Sequence, residues 1–228
     1  MNLGTKIVRS CELVDNMWMQ VEDLKNTLNA MTESALEKGA LKNFQGAGRS
    51  TSTHEMGASH WSYSATANSF PVMQKRRRKA EPSAWIHYQI SVFGSGIPPF
   101  EHCEQETMGP VLHVSFWRER MDFSNPQLCV TFPSEWQEYD IKDHRLIYWA
   151  DDTESEYSQW TFSIRLLELN SEVALERSVL TPIMKLFAGE SATSALPPDL
   201  PGLIFYAHAE RGNDGWDLVA NKSDDASV

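Results

Sequence analysis

The sequence predicts an α+β fold: an antiparallel sheet of about five to seven strands, preceded by one long helix and backed by a C-terminal helix. Three observations carry this. Segments 85–93, 111–117, 145–149 and 160–167 alternate apolar and polar residues with period two, as half-buried strands do. An apolar seam of period 3.5 runs through residues 11–37. Strands follow one another without the intervening helices of βαβ units, which favours antiparallel pairing.

The first helix rests on Val14, Met17, Val21, Leu24, Leu28, Met31 and Ala35, spaced alternately by three and four. Ser10 suits its N-cap, Glu12 its first turn and Gly39 its stop. A seam this narrow requires a partner, either the protein's own sheet or a helix of a second chain. Met17, Val21, Leu24 and Leu28 are therefore candidate partner-binding residues, and residues 1–43 form an N-terminal helical segment.

Residues 44–83 lack periodicity and are rich in Gly, Ser and Thr at first, which predicts a flexible linker with one edge strand at 61–65. The linker ends in the basic run Lys75, Arg76, Arg77, Arg78 and Lys79. Five adjacent cations attract phosphates or acidic protein surfaces, so these too are candidate partner-binding residues.

Residues 84–220 make up the α+β core. Its first strand ends at GSGIPP, an acidic loop follows at 101–109, and the second strand ends at Arg118-Glu119-Arg120. Residues 128–132 suit a third strand and 134–143 a loop or short helical turn. Segments 144–149 and 157–169 form a hairpin-like pair around the acidic tip at 150–156. Asn170 or Ser171 caps the next helix, which Pro182 should kink or divide because proline removes a backbone donor. Segments 203–207 and 216–219 suit a closing strand pair, and 221–228 a disordered tail.

Composition narrows the function. With 41% hydrophobic and 22% charged residues the chain has the make-up of a globular protein. The net charge of −11 opposes nonspecific binding to nucleic acid and to anionic membranes. The basic run stands against that field, so nucleic acid is a partner the sequence allows but does not favour. Three cysteines without CxxC spacing fit a reducing compartment, and the N-terminus lacks the apolar run of a signal peptide, so the expected location is cytoplasmic with no membrane association.

Period-two geometry also defines a polar sheet face. If the apolar set faces the core, then His87, Gln89, Ser91, His113, Ser115, Thr161, Ser163 and Arg165 face away from it, with Trp85 and Trp117 at the ends. Two histidines, an arginine and aromatic rims could serve an anionic or planar ligand, although one face of an antiparallel sheet is commonly just wet. His54, Glu55 and His60 miss the spacing of a helical zinc motif, and residues 101–106 crowd acids with His102 and Cys103 but have no second cluster, so no metal and no cofactor is expected. Asp122 with Asp140 and Lys142 faintly resembles the acidic-x-Lys arrangement of metal-dependent nucleases. Nucleophile-elbow, Walker A and GxGxxG signatures are missing. The expectation is a non-enzymatic adaptor, regulator or inhibitor that binds a protein partner, or a second copy, through the helix, the basic loop or both. The alternative is an enzyme acting on a phosphate-containing substrate.

Overall fold

The structure, a computed structural model, describes residues 3–56, 63–75, 81–92, 109–125, 132–133, 138–149, 158–211 and 215–221. It is α+β, as the periodicities predict. Helix α1 (Leu3–Glu37) precedes β1 (Phe44–Gly46), β2 (Thr51–Met56), β3 (Tyr63–Gln74), β4 (Ala84–Ser91), β5 (Val111–Trp117), β6 (Tyr139–Lys142), β7 (Leu146–Trp149) and β8 (Gln159–Arg165). These form an eight-stranded sheet in the order β1-β3-β4-β5-β8-β7-β6, with β2 sharing the outer edge of β3 with β1. All its pairings are antiparallel. Helix α2 follows as an α-helical turn Glu172–Leu175, a π-helical segment Glu176–Leu180 and an α-helix Thr181–Ala188, then the short α3 (Ala192–Ala195). A separate hairpin pairs β9 (Phe205–Arg211) with β10 (Gly215–Asn221).

Helix α1 begins at Leu3, earlier than a cap at Ser10 would allow, and Ser10 lies inside it. Its end matches the glycine signal. Gly39 takes φ +68°, its N–H bonds Leu36 O at 3.1 Å and the Ala40 N–H bonds Ala35 O at 3.0 Å, a Schellman closure. Lys75 Nζ reaches Gly39 O at 3.3 Å, a cation at the negative end of the helix dipole.

The stretch expected to be a linker holds β1, β2 and all of β3. Of the edge strand expected at 61–65, residues 63–65 open β3, which is paired on both edges, and 61–62 lie outside the described residues. Pro71 sits within it without breaking the ladder. Its carbonyl accepts from Ala47 N at 2.9 Å, so its missing N–H faces the gap between Gly46 and Thr51, where no strand asks for a donor. Small polar side chains of β2 and β3 gain partners from each other and from α1: Ser52 bonds Asn68, Asn68 bonds Asn29 and Thr66 bonds His54. Thr32 donates to Leu28 O at 2.7 Å, so the Tyr88 hydroxyl, also 2.7 Å from Thr32 Oγ1, is the donor in that pair.

Residues 139–142, expected in a loop, form β6. It turns into β7 through Asp143 (φ +51°) and His144 (φ +59°), closed by Arg145 N–H to Lys142 O at 3.0 Å. Positive φ at both central residues is the type I′ geometry that hairpins favour. Ser171 caps α2 by accepting from Ala174 N at 3.2 Å. Pro182 does not end that helix; the π-helical turn immediately before it absorbs the lost donor. The third strand expected at 128–132 falls mainly outside the described residues, as do the acidic tip, the 101–108 loop and nearly all of the tail.

One sheet face carries the main core. Val21 and Leu28 of α1, Leu175, Val179 and Ile183 of α2, and Leu196 and Leu200 pack onto Phe70, Ile86, Ile90, Leu112, Val114 and Phe162. No helix among the described residues is long and apolar enough to cross a membrane.

Candidate functional site

The polar sheet face is not wet. His87, His113, Ser115, Thr161 and Ser163 are fully buried, and Gln89, Ser91 and Gln159 nearly so. A second apolar cluster, including Val111, Phe132, Ile147, Trp149, Ile204 and Tyr206, lies on this side. Phe132 meets the His113 ring edge-on at 5.2 Å. Residues 118–125 cross the same face: Arg118 N bonds Gln159 Oε1 at 3.0 Å and Phe123 N bonds Thr53 Oγ1 at 3.3 Å. Sequence periodicity cannot reveal such a roof, because a strand pattern does not say on which face of the sheet its segment comes to lie.

Register places His87 opposite Ser115 and His113 opposite Gln89, so the two imidazoles are diagonal neighbours on adjacent strands. Each has a serine partner one strand away: Ser69 Oγ lies 2.9 Å from His87 Nδ1, and Ser163 Oγ 2.6 Å from His113 Nδ1. Tyr206 donates to Ser163, which leaves the Ser163 hydroxyl hydrogen for His113. Burial pushes both histidines down to about 3, offset at His87 by the Glu119 backbone. The same burial raises the hydroxyls of Tyr88 and Tyr206. These histidines are neutral hydrogen-bonding members of the interior. Trp85 and Trp117 pair across β4 and β5 at one end of the layer; Arg165, opposite Val111, lies at the other. All three are half-buried.

The helix seam divides into two parts. Val21 and Leu28 are buried against the protein's own sheet, so they are core residues and cannot meet a partner; Lys25 and Thr32 share their stripe. Met17 and Leu24 are half-buried. Trp18 packs against the main core, while the apolar side chains around and before it face solvent: Leu3, Ile7, Val8, Leu13 and Met19 are 74%, 55%, 56%, 70% and 65% exposed. Of the basic run, Lys75 serves as the cap on α1, and Arg76, Arg77, Arg78 and Lys79 lie outside the described residues.

The acidic-x-Lys set is not assembled. Phe123, next to Asp122, bonds β2 at one margin of the sheet, whereas Asp140 and Lys142 pair with each other on β6 at the opposite margin. Six strand spacings separate those margins, roughly 29 Å. Among the described residues no three His, Cys, Asp or Glu side chains are grouped to hold a metal ion.

One site escaped the sequence reading. A cavity of about 620 Å³ opens between the β6–β7 hairpin and the end of α2, walled by Phe44, Phe116, Tyr148, Trp160 and Phe187. These residues come from β1, β5, β7, β8 and α2. The available signal was the chain's aromatic content (Trp 8, Phe 10, Tyr 6), which does not say which rings meet.

Neither a protein-family model, nor a curated protein, nor a solved structure matches the chain.

Proposed function

We propose that this is a non-enzymatic protein-binding protein, an adaptor or regulator, whose docking element is the projecting N-terminal half of α1. The observation that supports this is the split seam. Ile7, Val14, Val21 and Leu28 fall seven apart on one stripe; the last two are buried on the sheet while Ile7 is 55% exposed. A stripe of this period is satisfied by another helix.

The occupant we favour is a second copy running antiparallel. A parallel copy laid on the stripe would collide with the sheet at Val21, where the stripe is already covered. An antiparallel copy ends there, and its own sheet begins beyond Leu3. Residues 6–15 of the two copies would then overlap over about 15 Å, setting Ile7 against Val14. Charge order agrees: Lys6 and Arg9 precede Glu12 and Asp15, so antiparallel copies place positive against negative. The exposed Cys11 falls beside the two-fold axis. A free exposed thiol also fits the reducing cytoplasm as the location.

Light scattering across a concentration series is expected to give a dimer that Ile7→Asp with Val14→Asp converts to monomer without loss of helical circular dichroism. Mild oxidation should link Cys11 to Cys11, and Cys11→Ser should abolish the link. A wild-type monomer at every concentration with no cross-link would sink the self-association; a heterologous complex lost on Ile7→Asp would assign the same face to another chain's helix.

A further inference from the structure

The aromatic cavity points to a ligand that no other feature of the molecule suggests. We infer that it binds a small organic cation, an ammonium group carried on an apolar body. Its walls come first. Phe44, Phe116 and Phe187 meet edge to face at 4.9 to 5.2 Å, and Trp160 stands 5.9 Å from both Phe116 and Phe187. Rings grouped in this way line one space with apolar surface, and an aromatic face attracts any cation that reaches it. Its volume of about 620 Å³ falls within the range of small-molecule sites.

The mouth sets the sign. Asp143 and Glu190 line it, each held in place by a hydrogen bond: Asp143 accepts from Thr193 N and Oγ1 at 3.1 and 2.5 Å, and Glu190 accepts from Ser194 Oγ at 2.6 Å. The C-terminal end of α2 closes at Gly189 beside them, so its carbonyl dipoles add negative potential. Among the described residues of the lining the one cation is Lys142, which is matched by Asp140. Its ammonium already lies 5.6 Å from the centre of the Tyr148 ring, so a wall of the cavity draws a positive charge even without a ligand. An anion would face two fixed carboxylates and a helix C-terminus, and a neutral apolar molecule would leave the mouth unused.

Calorimetric titration of the intact protein separates these possibilities. The probes are phenethyltrimethylammonium, its neutral carbon isostere 3,3-dimethylbutylbenzene and the anion 3-phenylpropionate, with an acetylated, amidated trimethyl-lysine as the arm that asks whether the cation comes from a protein side chain. Free-ligand recognition predicts that the aromatic cation binds more tightly than the isostere and the lysine derivative, and that the anion does not bind. Glu190→Gln should weaken the cation about two- to five-fold while leaving the isostere unchanged, and Phe187→Leu, which keeps an apolar wall but removes a ring face, should weaken the cation more than the isostere. Lys142→Met should tighten the cation by a similar factor, since it removes a competing charge. Equal binding of cation and isostere, or a cation affinity unmoved by Glu190→Gln and Lys142→Met in folded protein, would overturn the proposal. Preference for trimethyl-lysine would overturn the free-ligand source and assign the cavity to a modified peptide.

Discussion

At the residue scale, the informative side chains are polar ones that the fold has taken out of water. His87 and His113 remain neutral in the folded chain because burial depresses them to about 3. In the unfolded chain each takes up a proton below about pH 6.5. Proton uptake by the unfolded state alone favours unfolding, so their contribution is full above pH 6.5 and falls steadily as pH drops toward 3. By pH 4 the loss is on the order of 3 kcal/mol for each ring. Urea unfolding from pH 7.5 to 4 should show the midpoint declining below pH 6.5, and His113→Gln should flatten that decline even if it lowers the midpoint at pH 7.5. An unchanged slope would mean that the ring is not held neutral. The sequence names these residues and puts them on one face. It could not say that the face is roofed, because Phe132, Ile204 and Tyr206 reach it from segments, 128–132 and 203–207, whose packing partners strand patterning does not give.

At the element scale, the strands with alternating apolar residues were legible, and so were the Gly39 stop and the Ser171 cap. The strands β1 to β3 were not. In β3, Thr66, Asn68 and Ser69 are buried but polar, and what makes burial tolerable is hydrogen bonding to His54, Ser52, Asn29 and His87. A pattern of hydrophobicity cannot register an interior satisfied by side-chain hydrogen bonds. Helix α1 shows the reverse: its seam is continuous in sequence, yet it packs on the core only from Trp18 onward. Leu28→Ala should therefore cost about 2–5 kcal/mol of stability in chemical denaturation, as a buried leucine does. Leu13→Ala, on the free half, should shift the same measurement by less than about 0.5 kcal/mol. Comparable costs at both positions would show that the N-terminal half packs on the body of the protein.

At the scale of the whole molecule, β6 is the last strand of the sheet among the described residues, and a sheet edge offers unpaired backbone donors and acceptors to any strand that approaches. The four residues Tyr139–Lys142 answer this with brevity and charge: Asp140 and Lys142 alternate with half-buried Tyr139 and Ile141, and both remain exposed. Burial of that pair by an incoming strand would cost desolvation of two ions. Replacing both, as in Asp140→Val with Lys142→Val, should raise turbidity and thioflavin signal on prolonged incubation, while circular dichroism of fresh protein stays the same. No change in aggregation rate would assign the protection to other groups. The acidic-x-Lys pattern that in sequence resembles a nuclease thus has a different consequence here: it sets a desolvation cost against the addition of a further strand, a cost that the proposed pairing through α1 would not meet.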